Sequence, residues 1–157
     1  MNLILWRHAE AEDTASSDLA RQLTSRGRKQ AQAGAKWLRA RLDDHVTILV
    51  SPAARTVQTV EALTDQYRVV REIAPDASAS DVLGAAGWPD GIAPTVVVVG
   101  HQPTLGHVAA RLIAKSGDSW SIRKGGIWWI ESRARSADSD PALREAVLKA
   151  AISPDLI

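Results

Sequence analysis

The chain has 157 residues, enough for a core of ordinary size and for one domain spanning 1–157 rather than two. Hydrophobic residues make up 45% and charged residues 24%, the balance of a globular protein that stays in water. With 19 basic and 18 acidic residues the net charge is +1, so no global field draws in nucleic acid or anionic lipid, and the lack of cysteine excludes disulfides, thiolate catalysis and zinc–thiolate sites.

The chain opens Met1-Asn2-Leu3-Ile4-Leu5-Trp6-Arg7-His8, without the basic region and long apolar stretch of a signal peptide. No apolar run reaches the length of a membrane span, and a cytoplasmic location is the expectation. Residues 3–6 form the first predicted strand and residues 10–21 a polar connection. A helix starts near Thr24, with Ala31, Ala35, Leu38 and Leu42 on one face. Residues 46–50 read as a second strand. Ser51-Pro52 then predicts a helix start, since serine can cap exposed amides and proline suits the first turn. That helix aligns Thr56, Val60, Leu63 and Tyr67.

A weaker strand is predicted near 69–73. Residues 74–94 carry Pro75, Pro89 and Pro94 with Gly84, Gly87 and Gly91, the mark of a long loop, with one short helix around 79–85. The β-branched run 96–99 is a strand buried on both faces. Leu105, Val108, Ala109, Leu112 and Ile113 supply the apolar stripe of the next helix. Residues 127–130 form a further strand, and 132–141 a solvated loop tip. Residues 143–152 are ambiguous: Ala146, Leu148, Ala150 and Ile152 alternate as in a strand, while the alanine content favours a helix. Strand followed by helix, repeated, predicts an α/β layered domain with a mainly parallel sheet.

Arg7-His8, Ser51-Pro52 with Arg55, and Gly100-His101-Gln102-Pro103 all follow predicted strands, at the C-terminal ends where open α/β sheets bind ligands. Parallel strands bring these ends to one edge, so two arginines and two histidines converge. Such a set suits a phosphoryl group. Each guanidinium is a permanently charged fork that matches phosphate oxygens and follows charge onto them in the transition state. One neutral histidine can attack phosphorus if its other ring nitrogen donates to a carbonyl, and the other can sit protonated beside the phosphate.

These residues also resemble a known family. Arg7-His8-Ala9-Glu10, the segment 18–27 with Arg21, Leu23 and Thr24, Ser51-Pro52 followed by Arg55 and Gln58-Thr59, and Gly100-His101 stand in the order and spacing of the histidine phosphatase superfamily. The likeness is nearest to its short, SixA-like phosphohistidine-phosphatase branch. It implies a three-layer α/β/α sandwich whose last strands form an edge hairpin at the C-terminus, which tips 143–152 toward strand. It implies that His8 is the nucleophile, that Arg7 and Arg55 bind phosphate, and that His101 is the second pocket histidine. Asp18 and Arg21 fall where the branch has an Asp and an Arg beside the pocket, contacting the leaving group or holding the pocket's shape.

Two departures stand out. Ala9 replaces the usual glycine after the nucleophile and is expected to narrow the pocket floor. No insertion carries a general-acid glutamate, which leaves Glu10 or Asp18 as the carboxylates within reach. Loss of a strong acid costs little when imidazole leaves but about 10²–10⁴-fold for an alkyl phosphate. The expected activity is therefore metal-independent hydrolysis of phosphohistidine on a partner protein, a histidine phosphotransfer domain or similar, by a monomer that needs no cofactor. A small phosphorylated metabolite is the alternative substrate, and a non-catalytic phosphate-binding module the alternative of a different class. His107 and His45 are expected to be structural or at the surface, and Gln58 and Thr59 to stabilise local structure. Of Trp128 and Trp129, one is expected in the core and the other at the surface.

Overall fold

The computed structural model describes residues 1–134 and 144–157. Its order is β1 (Asn2–Arg7), α1 (Ser25–Arg39), β2 (Val46–Val50), α2 (Ala54–Glu61), β3 (Arg68–Val69), α3 (Ala79–Ala86), β4 (Thr95–Gly100), α4 (Thr104–Ala114), β5 (Ile127–Ala134) and β6 (Arg144–Ile152). The sheet runs β3-β2-β4-β1-β5-β6. The first four strands in that order are parallel, and β5 and β6 add an antiparallel hairpin at one edge. The α/β expectation and the edge hairpin hold.

Side-chain alternation along the strands builds two cores. Leu3, Leu5, Leu49, Val96 and Val98 face α3 and α4, meeting Val82, Ala86, Leu105 and Val108. Ile4, Trp6, Ile48, Val50, Val97 and Val99 face α1 and α2, meeting Ala35, Leu38 and Val60. Strand β4 is buried at all six positions because helices cover both faces, and each of its valines contributes about 1.5–3 kcal/mol by leaving water. The result is the three-layer sandwich.

Helix α1 begins where expected: Thr24 Oγ1 accepts from the Gly27 amide at 2.9 Å. Helix α3 carries a capping box between Ser78 and Asp81 and stops at Gly87, whose φ of 69° is the left-handed conformation that glycine adopts without strain.

Several local expectations are corrected. Helix α2 starts at Ala54 with Ala53 as its N-cap, so Ser51-Pro52 precedes the helix instead of opening it. The reason is tertiary, since Ser51 Oγ is engaged by a ring nitrogen of His101. Helix α2 also ends at Glu61, leaving Leu63 and Tyr67 to pack on the same core from beyond it. The expected strand at 69–73 shrinks to two residues and gives way to a 3-10 turn at Arg71–Ile73. Strand β5 continues to Ala134 because β6 pairs with it, so 132–134 are strand; 135–141 of the expected loop tip lie outside the described residues. Trp128 and Trp129 do not divide into core and surface. Both are half-buried, Trp128 against Trp120 on one face and Trp129 against Trp37 on the other. No helix among the described residues is long and apolar enough to cross a membrane.

Candidate active site

Three chain segments meet beyond the C-terminal ends of the parallel strands. The His8 amide donates to Gly100 O at 3.1 Å, and the Ser51 amide to Val99 O at 3.1 Å, so β1, β2 and β4 are joined up to their last residues. There a cavity of about 380 Å³ is lined by Arg7, His8, Asp18, Arg21, Arg55 and His101. All six residues singled out from the sequence thus share one cavity. Asp13, Asp76, Gln102 and Lys124 line it as well and were not anticipated. Gln102 could have been suspected from its place beside His101. Lys124 and Asp76 come from connections whose positions depend on the folded sheet, and no local signal marks them.

His8 is 8% exposed, and its Nδ1 lies 2.7 Å from Ala9 O. A carbonyl only accepts, so Nδ1 carries the proton and Nε2 keeps its lone pair. Burial, followed by the charges of Arg55 and Arg7, pushes the ring's pKa down to about 4, so the imidazole is neutral at pH 7. This is the tautomer and charge state that attack on phosphorus requires. The next residue is held too: the Ala9 amide donates to Thr59 Oγ1 at 3.0 Å, and Thr59 Oγ1 donates to Arg55 O at 2.7 Å. One hydroxyl therefore ties the His8 turn to the helix that carries Arg55. The Gln58 carboxamide similarly accepts from the Leu23 amide. Both side chains have the stabilising role expected of them.

Arg55 is 4% exposed, a burial that only pairing makes tolerable for a guanidinium. Its Nη1 donates to Asp18 O at 2.9 Å and its Nη2 to Asp18 Oδ2 at 3.2 Å. Arg21 meets the other carboxylate oxygen of Asp18 at 3.2 Å and also donates to Glu12 O. Arg7 is anchored through Nη1 to Ile122 O at 2.7 Å. The Nε atoms of Arg7 and Arg55 are buried without a partner among the described residues. Asp18 thus organises both Arg55 and Arg21. Partial desolvation raises its carboxyl, but the bonds and charges of the two arginines outweigh this and hold it below the usual carboxylate range.

His101 lies beside His8, with ring centroids 5.3 Å apart and planes tilted by 53°. Its Nε2 is 2.7 Å from Ser51 Oγ, while Nδ1 is buried without a partner among the described residues. Burial, then the neighbouring His8 and Arg55, pushes its pKa down to about 3. Without phosphate His101 is thus neutral at pH 7; the protonated state expected beside a phosphate depends on the dianion's charge. Three arginines leave no reason for another cation until a dianion enters.

The remaining expectations divide. Ala9 is fully buried against Ala11, Leu23 and Ala31, and it is absent from the cavity lining. Its methyl therefore packs into the core instead of narrowing the pocket floor, and its φ is not positive. Glu10 is directed away: its carboxylate accepts from Thr24 Oγ1 at 3.1 Å and faces Arg26, beside a different cavity. Of the two carboxylates weighed as acids, only Asp18 reaches the pocket. His107 bonds to Asp118 O at the surface of α4, and His45 is exposed. Among the described residues no cluster of His, Asp or Glu has the geometry of a metal site.

A parallel-stranded α/β sandwich that gathers two neutral histidines and several arginines at one sheet edge defines a phosphoryl-handling protein. Residues 3–78 match the model of the histidine phosphatase superfamily, branch 1. The chain is 33% identical over 129 residues to a phosphohistidine phosphatase SixA homolog of Haemophilus influenzae, covering 73% of this chain and 79% of that one. It is 31% identical over 120 residues to phosphohistidine phosphatase SixA of Escherichia coli, covering 71% and 74%. Among solved structures, a candidate phosphohistidine phosphatase SixA from Nakamurella multipartitia superposes with a TM-score of 0.80 at 28% identity, over 98% of this chain and 95% of that one. The chain belongs to the histidine phosphatase superfamily. It is a phosphatase of the SixA-like branch.

Proposed function

We propose that the protein removes the phosphoryl group from phosphohistidine on a partner protein, through a covalent intermediate on His8. The observation that carries this reading is the 2.7 Å contact between His8 Nδ1 and Ala9 O, which leaves Nε2 as a neutral nucleophile in a cavity lined by arginines. In the first step the Nε2 lone pair forms a bond to phosphorus while the bond to the substrate imidazole breaks. The substrate ring enters protonated on its other nitrogen, so the nitrogen that keeps the bonding pair leaves as part of a neutral imidazole. Water then attacks the phosphoryl group on His8, releasing orthophosphate and restoring the neutral ring. Arg7 and Arg55 hold the oxygens on which charge collects, and the otherwise unpartnered Nδ1 of His101 supplies a further donor.

Asp18 and Arg21 bind at the pocket's edge and position Arg55 rather than moving a proton. A carboxyl held below its usual range by two arginines is ionised at neutral pH and has no proton to give. This supports a substrate whose leaving group departs without strong acid assistance, as imidazole does. The whole chain 1–157 is read as one catalytic unit, monomeric, acting in the cytoplasm and independent of metal.

A second reading has one observation in its favour. Pro75 and Asp76, from the long connection ahead of α3, reach the cavity and add a wall that could enclose part of a small phosphorylated metabolite. The two are separated by phosphate release from a histidine-phosphorylated protein and from an aryl phosphate, with a chelator present, for wild type and His8→Ala. Faster release from the phosphoprotein, abolished in the variant, supports the proposal. Release only from the ester, still dependent on His8, transfers the assignment to the small substrate. Equal release by wild type and variant would leave a phosphate-binding module.

A further inference from the structure

A second cavity, of about 420 Å³, lies beside the phosphate pocket and shares Lys124 with it. Its walls carry Arg26, Lys29, Arg123 and Lys124, opposed by Glu10 and Asp155, and all four cations are exposed. In a chain of net charge +1 this is a local excess of positive charge next to the reacting centre. We propose that this groove docks an acidic stretch of the phosphorylated protein, with carboxylates flanking the phosphohistidine seated against Arg26 and Lys29. The inference rests on the phosphohistidine reading above and adds the chemistry by which the partner is chosen.

The placement of the cations supports a binding role over a merely solvated face. Helix α1 has no acidic residue in its first turn and carries Arg26 there instead, with Arg28 and Lys29 following. The partial positive charge of a helix N-terminus disfavours cations at that end, and the Glu10 carboxylate, 3.8 Å from Arg26, offsets only part of the three positive charges. The groove is also held at a set position relative to His8. The Glu10 amide donates to Gln30 Oε1 at 2.9 Å, and the Thr24 amide donates to Glu10 O at 3.0 Å. Gly27 packs so closely on the Glu10 backbone that a Cβ there would overlap its carbonyl oxygen. The start of α1 is thereby fixed to the chain two residues after His8. Lys124 lines both cavities, so residues flanking a phosphohistidine seated at His8 can extend past it into this groove. Attraction between exposed charges here acts on encounter and on apparent affinity, and salt weakens it.

The test uses two synthetic phosphohistidine peptides, one with aspartate and glutamate on both sides of the phosphohistidine and one with serine and glutamine there. They are hydrolysed by wild type and by Arg26→Glu/Lys29→Glu, with the milder Arg26→Gln/Lys29→Gln alongside and circular dichroism to confirm folding. The expected result is a preference of wild type for the acidic peptide at low salt, by roughly 3- to 30-fold in kcat/KM and mainly through KM. The preference shrinks as salt rises and disappears in both variants, while turnover of the neutral peptide stays at the wild-type level. Equal kcat/KM for the two peptides in wild type overturns the proposal, and so does a variant that loses both peptides in proportion. Failure of wild type to cleave either peptide marks failure of the phosphohistidine reading itself, and the docking proposal falls with it.

Discussion

His101 Nε2 lies 2.7 Å from Ser51 Oγ, and this bond links the turn after β4 to the turn after β2. The Ser51 hydroxyl also accepts, at 3.4 Å, from the Ala53 amide, and its own proton can be given to the imidazole. With Nε2 accepting, the ring proton sits on Nδ1, the atom left without a protein partner. In that tautomer Ser51 would be a positioning residue that presents His101 to phosphate as a donor, which Ser51→Ala tests.

Ser51→Ala should then release the tautomer of His101. Loss of one buried hydrogen bond to a functional ring corresponds to about 1–3 kcal/mol, or roughly 5- to 100-fold in kcat. The nitrogen NMR shifts of His101 provide the specific readout: wild type shows a protonated Nδ1, and the variant a mixture of tautomers. An unchanged tautomer would remove Ser51 from this role even if activity fell.

Both pocket imidazoles have folded-state pKa values below the ordinary 6.5, about 4 for His8 and about 3 for His101. Between pH 6.5 and these values the unfolded chain takes up protons that the folded one refuses. The corresponding stability is full above pH 6.5 and is lost progressively as the pH falls from there to the folded values, on the order of 3–5 kcal/mol per ring if the two act independently. Calorimetry from pH 7.5 to 4.5 should show Tm dropping for wild type and dropping less for His8→Ala. Parallel slopes for the two proteins would contradict the depressed pKa of His8. Proton NMR gives a direct check, since neither ring should titrate above pH 5.

Because Asp18 is held ionised by Arg55 and Arg21, the rate should depend steeply on how readily the leaving group departs. A series of aryl and alkyl phosphates should show kcat/KM rising with leaving-group acidity, alkyl esters being slower by about 10²–10⁴-fold. Asp18→Asn should leave the slope of that series unchanged, while raising KM through a less ordered Arg55. A slope that steepens in Asp18→Asn would assign proton donation to Asp18 after all.

Gly27→Ala tests the attachment of α1 to the His8 turn. The added methyl meets the Glu10 backbone, which cannot give way as a flexible side chain would. An overpacking cost of about 1–3 kcal/mol is expected in urea unfolding, together with reduced phosphatase activity. Thr59→Val offers a complementary case, leaving the buried Ala9 amide without its acceptor at a cost of similar size. Wild-type stability in both variants would show that the turn is held by other means.

Much of the frame was legible because its signals are local. The run 96–99 could only be a strand covered on both sides, and the Thr24 cap and the Ala31, Ala35, Leu38 face located α1. His8, Arg55 and His101 were legible as a set because parallel topology carries the ends of consecutive strands to one edge. The hairpin of β5 and β6 was not decided by periodicity. Of the alanine-rich stretch, 144–152 form a strand because β5 lies beside them to share backbone hydrogen bonds, and residue 143 lies outside the described residues.

The sequence by itself thus determined the layered architecture, the family and the residues that converge. Spacing and hydrophobic period act within a few residues of each other, and the topology rules do the rest. Only the tertiary structure decided which atom of each residue does what. The Ser51 hydroxyl left its expected helix for His101, and the Glu10 carboxylate turned away toward Arg26. Lys124, from the connection before β5, became a wall shared by two cavities. Each outcome depends on contacts between segments tens of residues apart, where burial, hydrogen-bond geometry and charge balance are set by the assembled fold.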